Sequence, residues 1–112
     1  MSTPKLNRAL VLETPVKVAD GAGGFTNSWD PLGVHWAALK PGTGREVAAS
    51  ATTISRVPYR ITLRTSPHGA PSRPVAGQRF RDGSRIFHIL AVADHSGQPQ
   101  YLTCHAEEEV AS

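Results

Sequence analysis

The sequence predicts an all-β fold, a small antiparallel β-barrel of about five to six strands with long loops and at most one short helix. The chain has 112 residues, and we expect a single domain over residues 1–112. Its ten glycines and nine prolines favour many turns, and its hydrophobic content of 39% is low for a helical bundle. Several short segments alternate apolar and polar residues, which is the period of a half-buried strand.

The first two strands are expected to form a hairpin. Residues 6–13 (LNRALVLE) alternate with the period of a strand, and residues 16–18 continue it after an interruption at Pro15. The second strand lies within residues 28–39, and Pro31 places the regular part of this strand after the proline.

A glycine-rich segment, DGAGG at residues 20–24, is the predicted tip of this hairpin. Glycine reaches positive φ at little steric cost, which suits such a tip. Phe25 and Trp29 then bring the chain back to the sheet. Two interpretations of these aromatics stay open: they are core residues of the hairpin, or they belong to a tip that contacts a partner. The candidate docking loop consists of Gly21, Gly23, Gly24, Phe25 and Trp29.

The next segment contains the one candidate helix, at residues 41–51 (PGTGREVAASA). Thr43 and Glu46 have the spacing of a capping box, and the helix would be too short to persist alone. Residues 54–64 (ISRVPYRITLR) form the clearest strand, with apolar side chains on one face and arginines on the other. Pro58 near its start favours an edge position or a bulge.

The remaining strands follow a loop rich in proline, glycine and serine at residues 66–74. Residues 78–92 predict a second hairpin, whose turn is Asp82-Gly83, a strong two-residue turn signal. Its second strand is apolar on both faces, which is typical of a central strand or of one covered by another chain. Residues 100–106 (QYLTCHA) form the last predicted strand.

The positive charge is concentrated in the middle of the chain. Residues 56–85 carry seven arginines against one acid, whereas residues 107–109 are three consecutive glutamates. The basic segment is either a solvated face or a surface for a polyanion such as DNA. One copy would bind duplex DNA weakly at physiological salt, and a ring of about six copies would multiply the local charge. The candidate basic face consists of Arg56, Arg60, Arg64, Arg79, Arg81 and Arg85.

No residue pattern predicts an enzyme, a metal site or a cofactor site. The single cysteine, Cys104, is expected to pack in a strand of a reduced, cytoplasmic protein. A nucleophilic role would require a base beside it, and its neighbour His105 points to the opposite face of the strand. The five histidines lack metal-ligand spacing, and no phosphate-binding glycine loop or nucleophile elbow is present. No apolar stretch has the length of a membrane span or a signal peptide.

Several segments in a fixed order resemble those of the phage head–tail joining proteins, also called head-closure or stopper proteins. The hairpin tip of that family is similar to D-G-x-G-G-x-x-x-x-W, here DGAGGFTNSW. Its second strand is similar to W-A-x-[IL]-x-P-x-x-G-R-E, here WAALKPGTGRE, and its third to R-I-T-[IL]-R, here RITLR. The fourth resembles D-G-R-x-[FY]-x-I-x-x-V, here DGSRIFHILAV. The resemblance covers about residues 5–106; extra prolines within residues 66–76 and Ser84-Arg85 depart from the family pattern.

This resemblance implies a β-barrel protein that assembles as a ring of six or twelve copies in a siphophage-like virion or gene transfer agent. Such a ring is assembled in the bacterial cytoplasm, docks below the portal and adaptor proteins, and faces the tail terminator or tail tube. It closes the filled head around passing double-stranded DNA without sequence specificity, and it requires no catalytic residue, metal, cofactor or membrane. In the family, the loop between the second and third strands projects toward the channel. The candidates for this channel loop and for contacts between subunits are Gly42, Gly44, Arg45 and Glu46.

Two other functions remain open from the sequence. A monomeric nucleic-acid-binding barrel of the OB or SH3-like type would bind DNA in a salt-sensitive manner. A small enzyme is the third possibility, and no constellation of residues supports it.

Overall fold

Six antiparallel β-strands form the regular structure in the computed structural model, which describes residues 4–42, 55–95 and 97–110. Within these ranges there is no helix, and the all-β class predicted from the sequence is confirmed. In chain order the strands are β1 (Arg8–Ala19), β2 (Phe25–Pro41), β3 (Ser55–Arg64), β4 (Arg79–Asp82), β5 (Arg85–Asp94) and β6 (Tyr101–Val110).

The sheet closes on itself into a small barrel with the strand order β1-β2-β3-β6-β5-β4. The loop at residues 65–78 therefore connects two strands that are not neighbours, β3 and β4. The closing contact is short, because β4 pairs with β1 only from Val11 opposite Arg81 to Glu13 opposite Arg79. Closure removes the free strand edges that an open sheet would expose along the barrel wall.

The barrel interior is filled by alternate residues of each strand. In β3, Ile61 and Leu63 point inward and are fully buried, as the alternation in the sequence predicts. Each buried leucine or phenylalanine contributes about 1.5–3 kcal/mol through removal of apolar surface from water. The core consists of Leu10, Leu12, Ala37, Ile61, Leu63, Phe80, Phe87, Ile89, Leu102, Cys104 and Ala106.

Ion pairs close the end of the barrel at which β1, β3 and β5 begin. Arg85 donates from Nε and Nη2 to the Glu108 carboxylate at 2.7 and 3.1 Å, and from Nη2 to the Tyr59 hydroxyl at 3.3 Å. Arg8 pairs with Asp82 on the neighbouring β4. The polar cluster thus lies over the apolar core and keeps its own charges compensated.

The β1–β2 hairpin extends beyond the barrel as an arm. Within the described chain, residues 14–19 of β1 and 25–30 of β2 pair only with each other. The pairing of β4 with β1 ends at Glu13, and the pairing of β3 with β2 begins only at Ala37. We call residues 14–30 the hairpin arm. The arm makes the molecule elongated, with principal extents of 55 × 36 × 22 Å.

Two prolines lie inside these strands, contrary to the prediction that Pro15 interrupts β1 and that regular structure in β2 begins after Pro31. Both strands run through, with Pro15 opposite Trp29 and Pro31 opposite Glu13. A strand that is paired on one edge tolerates proline, since no second ladder loses a hydrogen bond. The register also shifts beside Pro31, where Leu32 is left without a partner, and such a bulge absorbs the irregularity.

One turn and one strand boundary also differ from the prediction. The β4–β5 turn is Gly83-Ser84 rather than Asp82-Gly83, because Asp82 pairs with Arg85 and Gly83 supplies the positive φ of 61°. Strand β6 continues to Val110, since its glutamates pair with β3 and β5 on either side. Of the candidate helix at residues 41–51, Pro41 ends β2, and residues 43–51 lie outside the described residues. Over the described part of the chain there is no helix of membrane-spanning length and apolarity.

Candidate docking and charged surfaces

The tip of the hairpin arm is an ordered turn built on Asp20. The Asp20 carboxylate accepts hydrogen bonds from the backbone N–H of Ala22 at 2.8 Å and of Gly24 at 3.1 Å. Gly21 and Gly23 have φ of 81° and 84°, which is why glycines occupy these positions. Aspartate satisfies its own following backbone in this manner at turns, so the tip has a defined shape at the far end of the arm.

Exposed apolar side chains concentrate on the β1–β2 hairpin. Phe25 at the tip is 69% exposed and is therefore not a core residue. Val18 on β1 is 46% exposed. On the barrel wall Val34 and Trp36 are 61% and 60% exposed. Val18 pairs with Thr26 and Phe25 pairs with Ala19, so these two side chains lie on opposite faces of the arm and do not form one apolar patch. The sequence did not single out Val18, Val34 or Trp36.

Trp29 attaches the arm to the barrel. The guanidinium of Arg79 on β4 lies 4.1 Å from the centre of its ring, and the ring of His88 on β5 meets it edge-on at 6.4 Å. A cation over an indole face is attractive by about 0.5–2 kcal/mol, depending on its hydration. Trp29 is half-buried in these contacts and fixes the base of the arm, while Phe25 lies free at the tip.

The base of the arm also contains a buried carboxylate that no sequence motif indicated. Glu13 is 5% exposed and accepts hydrogen bonds from Nε of Arg79 at 2.7 Å and Nε of Arg81 at 3.0 Å. Burial by itself raises the pKa of Glu13, but the hydrogen bonds and charges of the two arginines outweigh it, so the pKa lies below its ordinary value of 4.5. Glu13, Arg79 and Trp29 therefore form one linked unit.

Most of the predicted basic face is compensated by carboxylates. Arg79 and Arg81 pair with Glu13, and Arg56 lies 3.8 Å from Glu107. Arg85 is held by Glu108, whose hydrogen bonds raise its pKa further above the usual value. Among the described residues, Arg60 and Arg64 have no such ion pair, and both are exposed. Four of the six arginines of the predicted basic face therefore have a carboxylate partner.

The predicted channel loop is described only at its first residue. The Gly42 backbone N–H donates to the carbonyl of Pro58 at 2.7 Å, which ties the end of β2 to the start of β3. This also explains why Pro58 fits, since β2 ends opposite Tyr59 and requires no further ladder bond there. Gly44, Arg45 and Glu46 lie outside the described residues.

Cys104 is a core residue, as predicted. It is fully buried, and this burial raises its pKa to about 12, so the thiol is neutral at physiological pH. His105 follows on the outer face and is exposed. Within the described ranges, no three histidine, cysteine or acidic residues cluster as metal ligands. These surfaces can bind macromolecules, and their chemistry is that of apolar contact and charge.

Comparison with known proteins identifies close relatives. The model of the family described as phage head completion protein matches residues 1–109. A chain from the virion of a native gene transfer agent particle is 49% identical, with 98% of this chain and 100% of that chain covered and a TM-score of 0.81. A Shigella flexneri 2a protein of known solution structure shares 16% identity and 100% coverage of both chains, with a TM-score of 0.70, and shows the common fold. No curated protein is significantly similar.

Proposed function

This chain belongs to the phage head completion protein family, and we propose that it forms the stopper ring that closes the filled head below the portal and adaptor. It is a structural component of a phage or gene transfer agent particle, and the prediction of a virion location is confirmed. The finer role is supported above all by the hairpin arm, an ordered projection with exposed apolar side chains. A projection that Trp29 anchors to the barrel is suited to reach a neighbouring component.

The arm is the proposed docking element for the adjacent ring, either the tail terminator or tail tube below or the portal and adaptor above. Phe25 supplies the apolar contact at its end, and the Asp20 turn presents this residue in one conformation. A preformed element loses less conformational entropy on binding than a disordered loop. The glycines Gly21, Gly23 and Gly24 serve this shape, and Trp29 sets the angle of the arm.

A ring of six or twelve copies is the proposed assembly. A head-to-tail contact between identical subunits closes into a ring when its rotation divides a full turn. In this arrangement Gly42, Gly44, Arg45 and Glu46 belong to the loop that faces the channel or the next subunit. One small interface per neighbour does not offset the cost of association, so ring formation is expected on the docking platform rather than in free solution.

The proposed function predicts a specific defect in particle assembly. Particles made without this protein should contain filled heads that lack tails and lose their DNA, because the channel is not closed. Particles made with the double variant Arg45→Ala/Glu46→Ala should contain the protein but retain less DNA. Electron microscopy and nuclease protection of packaged DNA measure both outcomes, and resupplied wild-type protein is the control. Normal tailed, DNA-retaining particles without the protein would refute the stopper role; normal DNA retention with the double variant would refute the role of the loop.

A further inference from the structure

A row of basic side chains, for which the described residues supply no ion pair, crosses the outer face of the barrel. Lys40 of β2 lies opposite Arg60 of β3, which lies opposite His105 of β6, and all three point outward. They border an open groove of about 310 Å³ on the outer surface. We call this the cationic groove; it is lined by Lys40, Arg60, Thr62, Ala93, Asp94, His95, Thr103 and His105.

The placement of these charges is unfavourable for the isolated protein. Like charges directly opposite each other on neighbouring strands destabilise a sheet, and Lys40 faces Arg60 in this way. Elsewhere in the barrel, Arg79, Arg81 and Arg85 each have a close carboxylate. Among the described residues, neither Lys40 nor Arg60 has a carboxylate within ion-pairing distance. An external anion would compensate this row.

The floor of the groove indicates which kind of anion. The neighbouring row across the same strands is Ala38, Thr62 and Thr103, followed by Ala93, so the floor is small and carries hydroxyl groups. The centres of protein–protein interfaces are apolar and aromatic, whereas DNA-contacting surfaces are polar and positive. The large exposed apolar residues of the strands lie mainly on the β1–β2 hairpin, and Leu90 lines the adjacent depression.

Arg64 extends the positive surface along β3. It lies on the same face four residues after Arg60, a distance of about 13 Å along a strand. Its guanidinium lies 6.0 Å from the ring centre of Tyr101 on β6. The cations therefore follow a track rather than a single point, which suits a chain of phosphates.

We propose that the cationic groove, and not the wider set of arginines, is the surface through which this protein contacts the phosphate backbone of duplex DNA. The inference rests on the proposed function in one respect: it identifies the face that a ring subunit turns toward passing DNA. Lys40, Arg60 and Arg64 make the contacts with the phosphates across this floor of small residues. Arg79, Arg81 and Arg85 contribute less, because Arg85 is paired with Glu108 and the other two share the Glu13 carboxylate. No base is read, so binding is independent of sequence.

The test is the salt dependence of DNA binding by the purified protein. A labelled duplex of random sequence is titrated by fluorescence anisotropy between about 50 and 200 mM salt. The double variant Lys40→Gln/Arg60→Gln should lower the slope of log affinity against log salt by about 2, close to one per lost phosphate contact. The control, Lys5→Gln/Arg8→Gln, removes the same charge at exposed positions outside both the groove and the hairpin arm, and it should leave the slope within about 0.5 of wild type.

Three results would overturn the inference: no binding by the wild type at the lowest salt, equal losses in the two double variants, or unchanged DNA binding with loss of a protein contact. The last result would assign the groove to an acidic protein surface. The same variants in the particle assay separate the two proposals. If the groove variant is incorporated and tailed normally and its DNA binding is unchanged, only the groove proposal is refuted. If the salt slope changes as predicted but particles form normally without the protein, only the stopper role is refuted.

Discussion

Replacing Glu13 by glutamine is expected to destabilise the barrel by about 2–4 kcal/mol. Removal of one partner from a buried ion pair costs about 3–5 kcal/mol, because a charge is left uncompensated. The loss expected for Glu13→Gln is smaller than this range, because the side chains of Arg79 and Arg81 are 19% and 40% exposed and water screens part of their charge. The variant also releases Arg79 from the position in which it supports Trp29. Denaturant unfolding followed by fluorescence and circular dichroism measures the change in free energy.

A matched control is available on the same part of the sheet. Asp82→Asn removes the carboxylate of the Arg8 ion pair, whose side chains are 44% and 27% exposed. An exposed pair contributes about 0–1 kcal/mol, so this variant should remain close to the wild type. Equal losses in the two variants would contradict the structural role assigned to Glu13.

The effect of Glu13 should also depend on pH with a defined sign. The pKa of Glu13 is lower in the folded protein than its ordinary value of 4.5. Its stabilising contribution is therefore fully present above the ordinary value and is lost as the pH falls through the folded pKa. The stability difference between wild type and Glu13→Gln should be constant at neutral pH and should shrink below about pH 4.5. A difference that stays constant in acid would argue against an ionised Glu13.

Shortening the hairpin arm is expected to abolish docking while sparing the barrel. Residues 17–27 are replaced by Asn-Gly, a two-residue turn that closes the pair Val16 and Ser28. Trp29 and its contact with Arg79 remain, so the free energy of unfolding should stay within about 1 kcal/mol of the wild-type value, as is usual for changes away from the core. Loss of the Phe25 contact should weaken binding to the neighbouring component by about a hundredfold or more, the effect expected when a central apolar residue of an interface is removed.

Two point variants separate the arm from general surface effects. Phe25→Ser removes the apolar group at the tip, and Val75→Ser removes a similar exposed apolar group, 50% exposed, from the loop at residues 65–78. Tail attachment, counted by electron microscopy, should fall with Phe25→Ser and stay normal with Val75→Ser. Normal tailing with the shortened arm would exclude the arm as the docking element, and loss of folding would assign it a structural role.

The sequence predicts the architecture because local patterns determine it. Alternation in β3 places Ile61 and Leu63 in the core, and the glycine-rich segment after Asp20 forms the first hairpin turn. The class of fold and the two hairpins follow from such signals. The prediction was wrong at the two prolines, because a strand tolerates proline when no second strand pairs on that edge. That is a property of the tertiary structure, and Pro15 and Pro31 lie where no such strand is found in the described chain.

The surfaces were harder to predict, because their partners come from distant parts of the chain. Glu13 is separated from Arg79 and Arg81 by 66 and 68 residues, and only closure of the barrel brings them together. Strand β2 is apolar on both faces, so its pattern does not show that Trp36 points outward. The three glutamates after Ala106 were one available signal: a last strand extended through them would have placed carboxylates beside Arg56 and Arg85.

The most direct test of the central claim is electron microscopy of the purified protein mixed with portal–adaptor complexes. The stopper assignment predicts an added ring below the portal with an axial opening, and the density gives the number of copies. The mass of the protein alone, measured in solution, should be smaller than the mass of this ring. A protein that leaves the portal–adaptor complex unchanged, yet binds DNA as a monomer in low salt, would contradict the assignment and favour an independent nucleic-acid-binding barrel.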